Sequence, residues 1–305
     1  MKHILSVKQF EDISLLKRLF IAADKLQATP ACKYPQTLSG RTIATIFYEP
    51  STRTRLSFEA AVQNLGGHII SSENAGEFSS AAKGEILEDT TRAINAFADG
   101  IIIRHPEPGS AERAAAVSKI PIINAGDGAH EHPTQALLDI YSIYREKGSL
   151  NKLKVGLVGD LLYGRTVHSL IPLLALYKAK FYLISPKNLT LPKTITAELH
   201  KKGIHYHEMS SWNNALKEVD VLYMTRVQRE RFKNVEDYMK VKDNFILTLK
   251  DVQTMKPKAI ILHPLPRVNE IAQDVDNDPR ARYFAQVRNG LFMRMALLQS
   301  LYAKL

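Results

Sequence analysis

Apolar and β-branched residues in this chain cluster in short runs, at positions 42–47, 68–71, 100–103, 121–124, 153–158, 180–184, 220–224 and 259–262. Most of the stretches between them repeat their apolar residues at helical spacing. Phe58, Ala61, Val62 and Leu65 recur this way until Gly66 and Gly67 stop the pattern, and Leu137, Ile140, Tyr141 and Tyr144 share one face of the segment 134–147. Strands alternating with helices predict parallel sheets covered on both faces. Gly148-Ser149-Leu150-Asn151 interrupts the pattern, so the α/β chain divides into two doubly wound parallel-sheet domains, 1–148 and 149–288, with a cleft between them. The segment 290–305 is helical by pattern and has no strand after it, which predicts that residues 289–305 form a C-terminal helix packing back on the first domain.

The length of 305 residues suits two domains, and a hydrophobic share of 45% suffices for two cores. The longest nearly apolar run, 170–177, is broken by Pro172 and falls far short of the ~20 residues of a membrane span. Met1-Lys2-His3-Ile4-Leu5-Ser6 runs on into mixed polar residues with no signal-peptide apolar region, so a cytoplasmic protein without membrane contact is expected. Cys32 stands alone, which excludes an intrachain disulfide and any thiolate-cluster metal site. A net charge of +10 favours acidic partners. The basic residues are dispersed and form no run or aromatic-interleaved stripe, so nucleic acid is not indicated and small anionic substrates fit better.

Chemistry concentrates where strands end. Phe47-Tyr48-Glu49-Pro50-Ser51-Thr52-Arg53-Thr54-Arg55 brings hydroxyls and guanidiniums to the start of a helix, where free N–H groups and the helix dipole attract an oxyanion. The plainer reading is that Ser51 caps the helix while Arg53 and Arg55 lie on a solvated face. Ligands of open α/β sheets bind outside the carboxyl ends of strands, and other ends are loaded too. Arg104 follows 101–103, and a glycine-punctuated loop after Asn124 leads to His132-Pro133-Thr134-Gln135. His130 and His132 alone, without an accompanying carboxylate or cysteine set, make a poor metal site. Gly156, Gly159 and Gly164 do not fit the dinucleotide fingerprint, which disfavours a nicotinamide-dependent dehydrogenase. Arg165, then Thr225-Arg226-Val227-Gln228, then His263-Pro264-Leu265-Pro266-Arg267 complete the series, the prolines leaving carbonyls free to accept. A cleft collecting Arg53, Arg104, Arg165 and Arg226 suits substrates with several negative charges.

With these motifs in their order, the chain resembles the aspartate/ornithine carbamoyltransferase family over nearly its whole length. The resemblance implies that Ser51, Thr52, Arg53 and Thr54, with Arg104, bind the phosphate of carbamoyl phosphate. Thr54, Arg104 and His132 would donate to its carbonyl oxygen, and Gln135 and the backbone carbonyls of Leu265 and Pro266 would hold its NH2 group. Arg165, Arg226 and Gln228 would grip the carboxylates of L-aspartate. The ornithine branch typically carries Cys at the position of Pro264 and a Ser-Met-Gly loop near Arg226, and neither is present, so aspartate is favoured and ornithine is the alternative acceptor. The implied reaction yields N-carbamoyl-L-aspartate and phosphate, a step of pyrimidine biosynthesis, with no metal, cofactor or covalent enzyme intermediate. No side chain stands out as general base, and the leaving phosphate is another candidate proton acceptor. The segment 71–84 reads by itself as a mobile surface loop. In the family the matching loop reaches into a neighbouring subunit's active site, which implies a homotrimer with shared sites and roles for Ser79 and Lys83. Ala82 stands where some members carry a second basic residue, and Ser80 beside Ser79 leaves open which of the two serines makes the contact. Whether a regulatory chain or a dihydroorotase associates is not legible. A cleft with substrates on opposite walls predicts closure led by 228–232, carbamoyl phosphate binding first.

Overall fold

The computed structural model describes residues 2–229, 232 and 234–303. It contains two compact units, one running to Tyr141 and resuming at Val287, the other spanning Ser142–Gln286. The first holds α1 (Ile13–Ala28), β1 (Thr42–Phe47), α2 (Thr52–Asn64), β2 (His68–Glu73), α3 (Ala75–Phe78), α4 (Leu87–Ile94), β3 (Gly100–His105), α5 (Ser110–Val117), β4 (Ile122–Asp127) and most of α6 (Pro133–Lys147). Its strands pair in parallel in the order β2-β1-β3-β4. Ile43, Ala44 and Phe47 of β1 and Ile102 of β3 are fully buried, as strands covered on both faces require.

The second unit holds β5 (Lys154–Val158), α7 (Arg165–Ala175), β6 (Lys180–Ile184), α8 (Lys193–Lys201), β7 (Tyr206–Met209), α9 (Asn213–Glu218), β8 (Val221–Met224), α10 (Val235–Met239), α11 (Leu249–Gln253) and β9 (Ile260–Leu262). Its parallel order is β7-β6-β5-β8-β9. In each sheet the winding reverses once, between β1 and β3 in the first and between β5 and β8 in the second. Such switch points open a crevice at the carboxyl ends of the two strands.

The last helix, α12 (Tyr283–Tyr302), packs on the first unit as expected. The Tyr302 hydroxyl donates to the Asp99 carbonyl at 2.9 Å, and the Arg294 guanidinium lies 4.9 Å from the centre of the Phe58 ring. The helix starts well before Gly290, the residue that suggested its beginning. A Cβ there would come 3.1 Å from Leu138, so this glycine serves close approach to α6. Leu305, at the end of the expected helix, lies outside the described residues.

The eight strands read from the sequence are present, with ends displaced by up to three residues. Two expectations need correction. β7 was not anticipated, and the segment 71–84, read as a surface loop, carries regular structure: the end of β2, then α3, then a 3-10 turn at Ser80–Lys83. Among the described residues no helix is long and apolar enough to cross a membrane.

Candidate active site

At the switch point of the first sheet, β1 and β3 stand side by side with Phe47 opposite Arg104, and the chain leaves β1 for the start of α2. Ser51 occupies the N-cap position at φ −158° and ψ 83°, yet its side chain makes no capping bond. Its hydroxyl instead accepts from Arg104 Nη1 at 3.1 Å. The capping explanation for Ser51 is thereby set aside. The first turn of α2 also lacks any acidic residue that would compete for an anion. Thr52 and Arg53 are exposed on that turn and Thr54 is buried. Arg104 Nε lies 3.4 Å from Glu49 Oε2, so one guanidinium is steered by a hydroxyl and a carboxylate together. Arg55 points to different work, pairing with Glu73 at 2.8 Å and Glu59 at 3.2 Å.

His132 and Gln135 stand at the start of α6, both buried. The turn that delivers them is pinned by Asp127, itself 1% exposed, which accepts from the backbone N–H groups of Gly109 at 2.9 Å and Glu131 at 3.0 Å. His130 Nδ1 lies 3.0 Å from Asp127 and so belongs to this turn. The Gln135 amide donates through Nε2 to Asp139 Oδ1 at 2.8 Å. With its N–H2 end so engaged, the amide's acceptor is its carbonyl oxygen. Asp139 is fully buried and shares its surroundings with buried Arg294, whose pKa burial pulls down to about 10 against the opposing pull of Asp139.

The second sheet repeats the arrangement. Gly159, just past β5, has φ +114°, and a Cβ on it would lie 2.2 Å from the Thr225 carbonyl oxygen beyond β8. Only glycine lets these two strand ends lie so close. Asp160 follows, fully buried, accepting from the Tyr163 N–H at 2.9 Å and the Gln228 N–H at 3.4 Å. Burial pushes its pKa up, while those N–H groups and the charge of Arg226 pull the other way. The Gln228 side chain donates to the Tyr163 carbonyl at 2.9 Å, closing a small network that joins the loops after β5 and β8. Arg165 begins α7 and is 9% exposed, and Arg226 is half-buried on the β8 loop. Of the segment 228–232, Glu230 and Arg231 lie outside the described residues.

After β9 the chain forms the turn 263–270. Leu265 sits in the left-handed region at φ +52°, and the Leu265–Pro266 peptide is cis. His263 is 1% exposed and Glu270 5%. His263 Nε2 lies 2.7 Å from Glu270 Oε1, and Nδ1 accepts from the Leu265 N–H at 2.8 Å. Burial holds the His263 pKa down. Arg267, for which the motif alone implied no role, is bidentate on Asp276 and lies over the Tyr283 ring at 5.4 Å.

Ser79 and Lys83 are placed differently. They lie on the turn that follows β2, the edge strand of the first sheet. The Ser79 hydroxyl accepts from the Ala81 N–H at 3.1 Å and donates to the Ala75 carbonyl, whereas Ser80 and Lys83 are exposed. Sequence reasoning had passed over Asp139, Arg294, Glu270 and Asp127. Only Asp139 left a trace, one helical turn beyond Gln135. Among the described residues, no group of three or more His, Cys, Asp or Glu side chains is placed to hold a metal ion.

A family model described as aspartate/ornithine carbamoyltransferase, carbamoyl-P binding domain, matches residues 2–145, and one described as the Asp/Orn binding domain matches residues 151–301. The chain is 49% identical over 303 residues to the aspartate carbamoyltransferase catalytic subunit of Lachnoclostridium phytofermentans, covering 99% of this chain and 98% of that one. It is also 48% identical over 297 residues to the multifunctional protein pyr1-3 of Dictyostelium discoideum, spanning 97% of this chain and 13% of that much longer one. Among solved structures, aspartate transcarbamoylase from Trypanosoma cruzi in complex with carbamoyl phosphate and aspartate matches with a TM-score of 0.93 at 38% identity, covering 98% of this chain and 96% of that one.

Proposed function

Because the chain belongs to the aspartate/ornithine carbamoyltransferase family, we propose that it transfers the carbamoyl group of carbamoyl phosphate to the amino group of L-aspartate, releasing N-carbamoyl-L-aspartate and phosphate. The observation that carries this reading is the uncapped start of α2 with Arg104 bonded to Ser51, inside the segment that matches a carbamoyl phosphate-binding domain.

Ser51, Thr52, Arg53 and Thr54 hold the phosphate with Arg104. Thr54, Arg104 and His132 donate to the carbonyl oxygen, where negative charge grows as the aspartate amine attacks and the tetrahedral intermediate forms. The Gln135 carbonyl oxygen and the backbone carbonyls of Leu265 and Pro266 accept from the carbamoyl NH2, an arrangement supported by the Gln135–Asp139 bond. Phosphate then leaves. The chemistry needs positioned donors and two bound anions, not a protein nucleophile or a metal.

For the second substrate, Arg165, Arg226 and Gln228 favour a dicarboxylate. Ornithine has one carboxylate and a side-chain ammonium, which two guanidiniums would repel. The full reading includes a cytoplasmic homotrimer acting in pyrimidine synthesis, with Ser79 or Ser80 and Lys83 contributed by a neighbouring subunit. The kinship with a multifunctional protein is compatible with further partners, a regulatory chain or a dihydroorotase among them. The test is a ureido-product assay of the purified chain with carbamoyl phosphate and either amino acid. Product with aspartate and at least about a hundredfold less with ornithine is expected, well inside the roughly 10⁴–10⁵ that polar recognition can give. Equal or faster turnover with ornithine overturns the assignment.

A further inference from the structure

We propose that His263 and Glu270 are positioning residues that set the Leu265 carbonyl for recognising the carbamoyl NH2, and so govern the preference for carbamoyl phosphate over acyl phosphates without N–H donors. The inference rests on the reading that the Leu265 and Pro266 carbonyls accept from that group.

Leu265 has φ +52°, a conformation that residues with a Cβ rarely hold without help. The help comes from its own N–H, which donates to His263 Nδ1 at 2.8 Å. Nδ1 must therefore be the unprotonated nitrogen of the ring. The proton sits on Nε2, facing Glu270 Oε1 at 2.7 Å. The second Glu270 oxygen accepts from the backbone N–H groups of Val268 at 3.0 Å and Asn269 at 3.1 Å. Both arms of the turn thus hang from one pair, His263 holding the Leu265 side and Glu270 the Val268–Asn269 side. The pair is itself anchored, the His263 N–H donating to Gln286 Oε1 at 3.0 Å and the Glu270 carbonyl accepting from Leu247 at 2.9 Å.

Stability alone is a weak reason for such a pair. Apolar residues of similar volume generally serve a buried position as well or better. What an imidazole between a carboxylate and a backbone N–H adds is direction: it fixes the tautomer, the ring plane and, through them, the Pro264–Leu265 peptide, from which the left-handed backbone of Leu265 aims its own carbonyl. A peptide plane out of place would leave the carbamoyl NH2 without its acceptors while sparing the phosphate.

The experiment compares wild type with H263Q, H263N and E270Q. Acetyl phosphate, with a methyl group in place of NH2, is measured as a competitor of carbamoyl phosphate, and inorganic phosphate is measured beside it. H263Q keeps a donor toward Glu270 and loses the acceptor for the Leu265 N–H, whereas H263N keeps an acceptor at the Nδ1 place. The carbamoyl-over-acetyl preference is expected to fall about tenfold or more in H263Q and to stay within about threefold of wild type in H263N. E270Q, which turns an amide N–H2 toward existing donors, falls between them, and provides the reading if H263Q fails to fold. Phosphate inhibition is expected to be unchanged throughout. An unchanged preference in H263Q and E270Q, or a loss that phosphate binding shares equally, overturns the proposal. A wild-type chain without carbamoyl transfer would instead sink the parent reading.

Discussion

Arg104 sits between Ser51 and Glu49, which hold its guanidinium at the head of α2. In the proposed reaction such a donor serves the phosphate already present and also the charge that develops on the carbonyl oxygen. Arg104→Ala should lower kcat by about 10²–10³, the usual cost of losing one oxyanion donor, and a thermal melt should show the fold retained. A second residue-scale test concerns Arg294, buried beside Asp139. Arg294→Met removes a buried cation whose charge acts on Asp139 and should cost about 3–5 kcal/mol in urea unfolding, part of which the added change Asp139→Asn should restore. These two arginines also mark what a sequence can disclose about a site. Arg104 announces itself because a charge directly after three isoleucines has no use in a core. Arg294 and Glu270 are single charged letters that a solvated surface would display equally well, and only burial reveals them.

At the scale of elements, parallel strands buried on both faces were legible because their runs are apolar throughout, as in the TIATIF of β1. β7 escaped because it lies at a sheet edge with His207 and Glu208 exposed, so no apolar run marks it. For the same reason β2, the other exposed edge, reads shorter than it is. The start of α12 was misjudged since a glycine that serves close helix contact looks like a helix boundary. The structure also gives Gly159 a task that spacing alone did not, joining β5 to β8. Gly159→Ala should therefore lower the unfolding free energy by roughly 3 kcal/mol or more, combining left-handed strain with a backbone clash. Gly148→Ala is the control, at φ +70° with nothing within 4 Å of the added carbon. It should cost about 1 kcal/mol, the strain alone. Urea denaturation of both variants measures the difference.

At the scale of the whole molecule, the question is whether one chain suffices for one active site. Arg53 stands at the start of α2, whereas Lys83 stands exposed on the turn beyond edge strand β2. In the proposed trimer, an exposed lysine on an edge turn is well placed to serve a neighbour. Arg53→Ala and Lys83→Ala should each be nearly inactive alone. If every chain completed its own site, mixing the two variants would restore nothing, because each site would still carry one lesion. If Lys83 crosses to the adjacent subunit, some mixed sites combine an intact Arg53 at home with an intact Lys83 next door. Random reassembly of equal amounts in a cyclic trimer produces such sites with a probability of about one quarter. Dissociating the two variants, reassembling them together and assaying the mixture should thus recover about a quarter of wild-type activity, and a mixture no more active than its parents would show that the lysine serves its own chain or none.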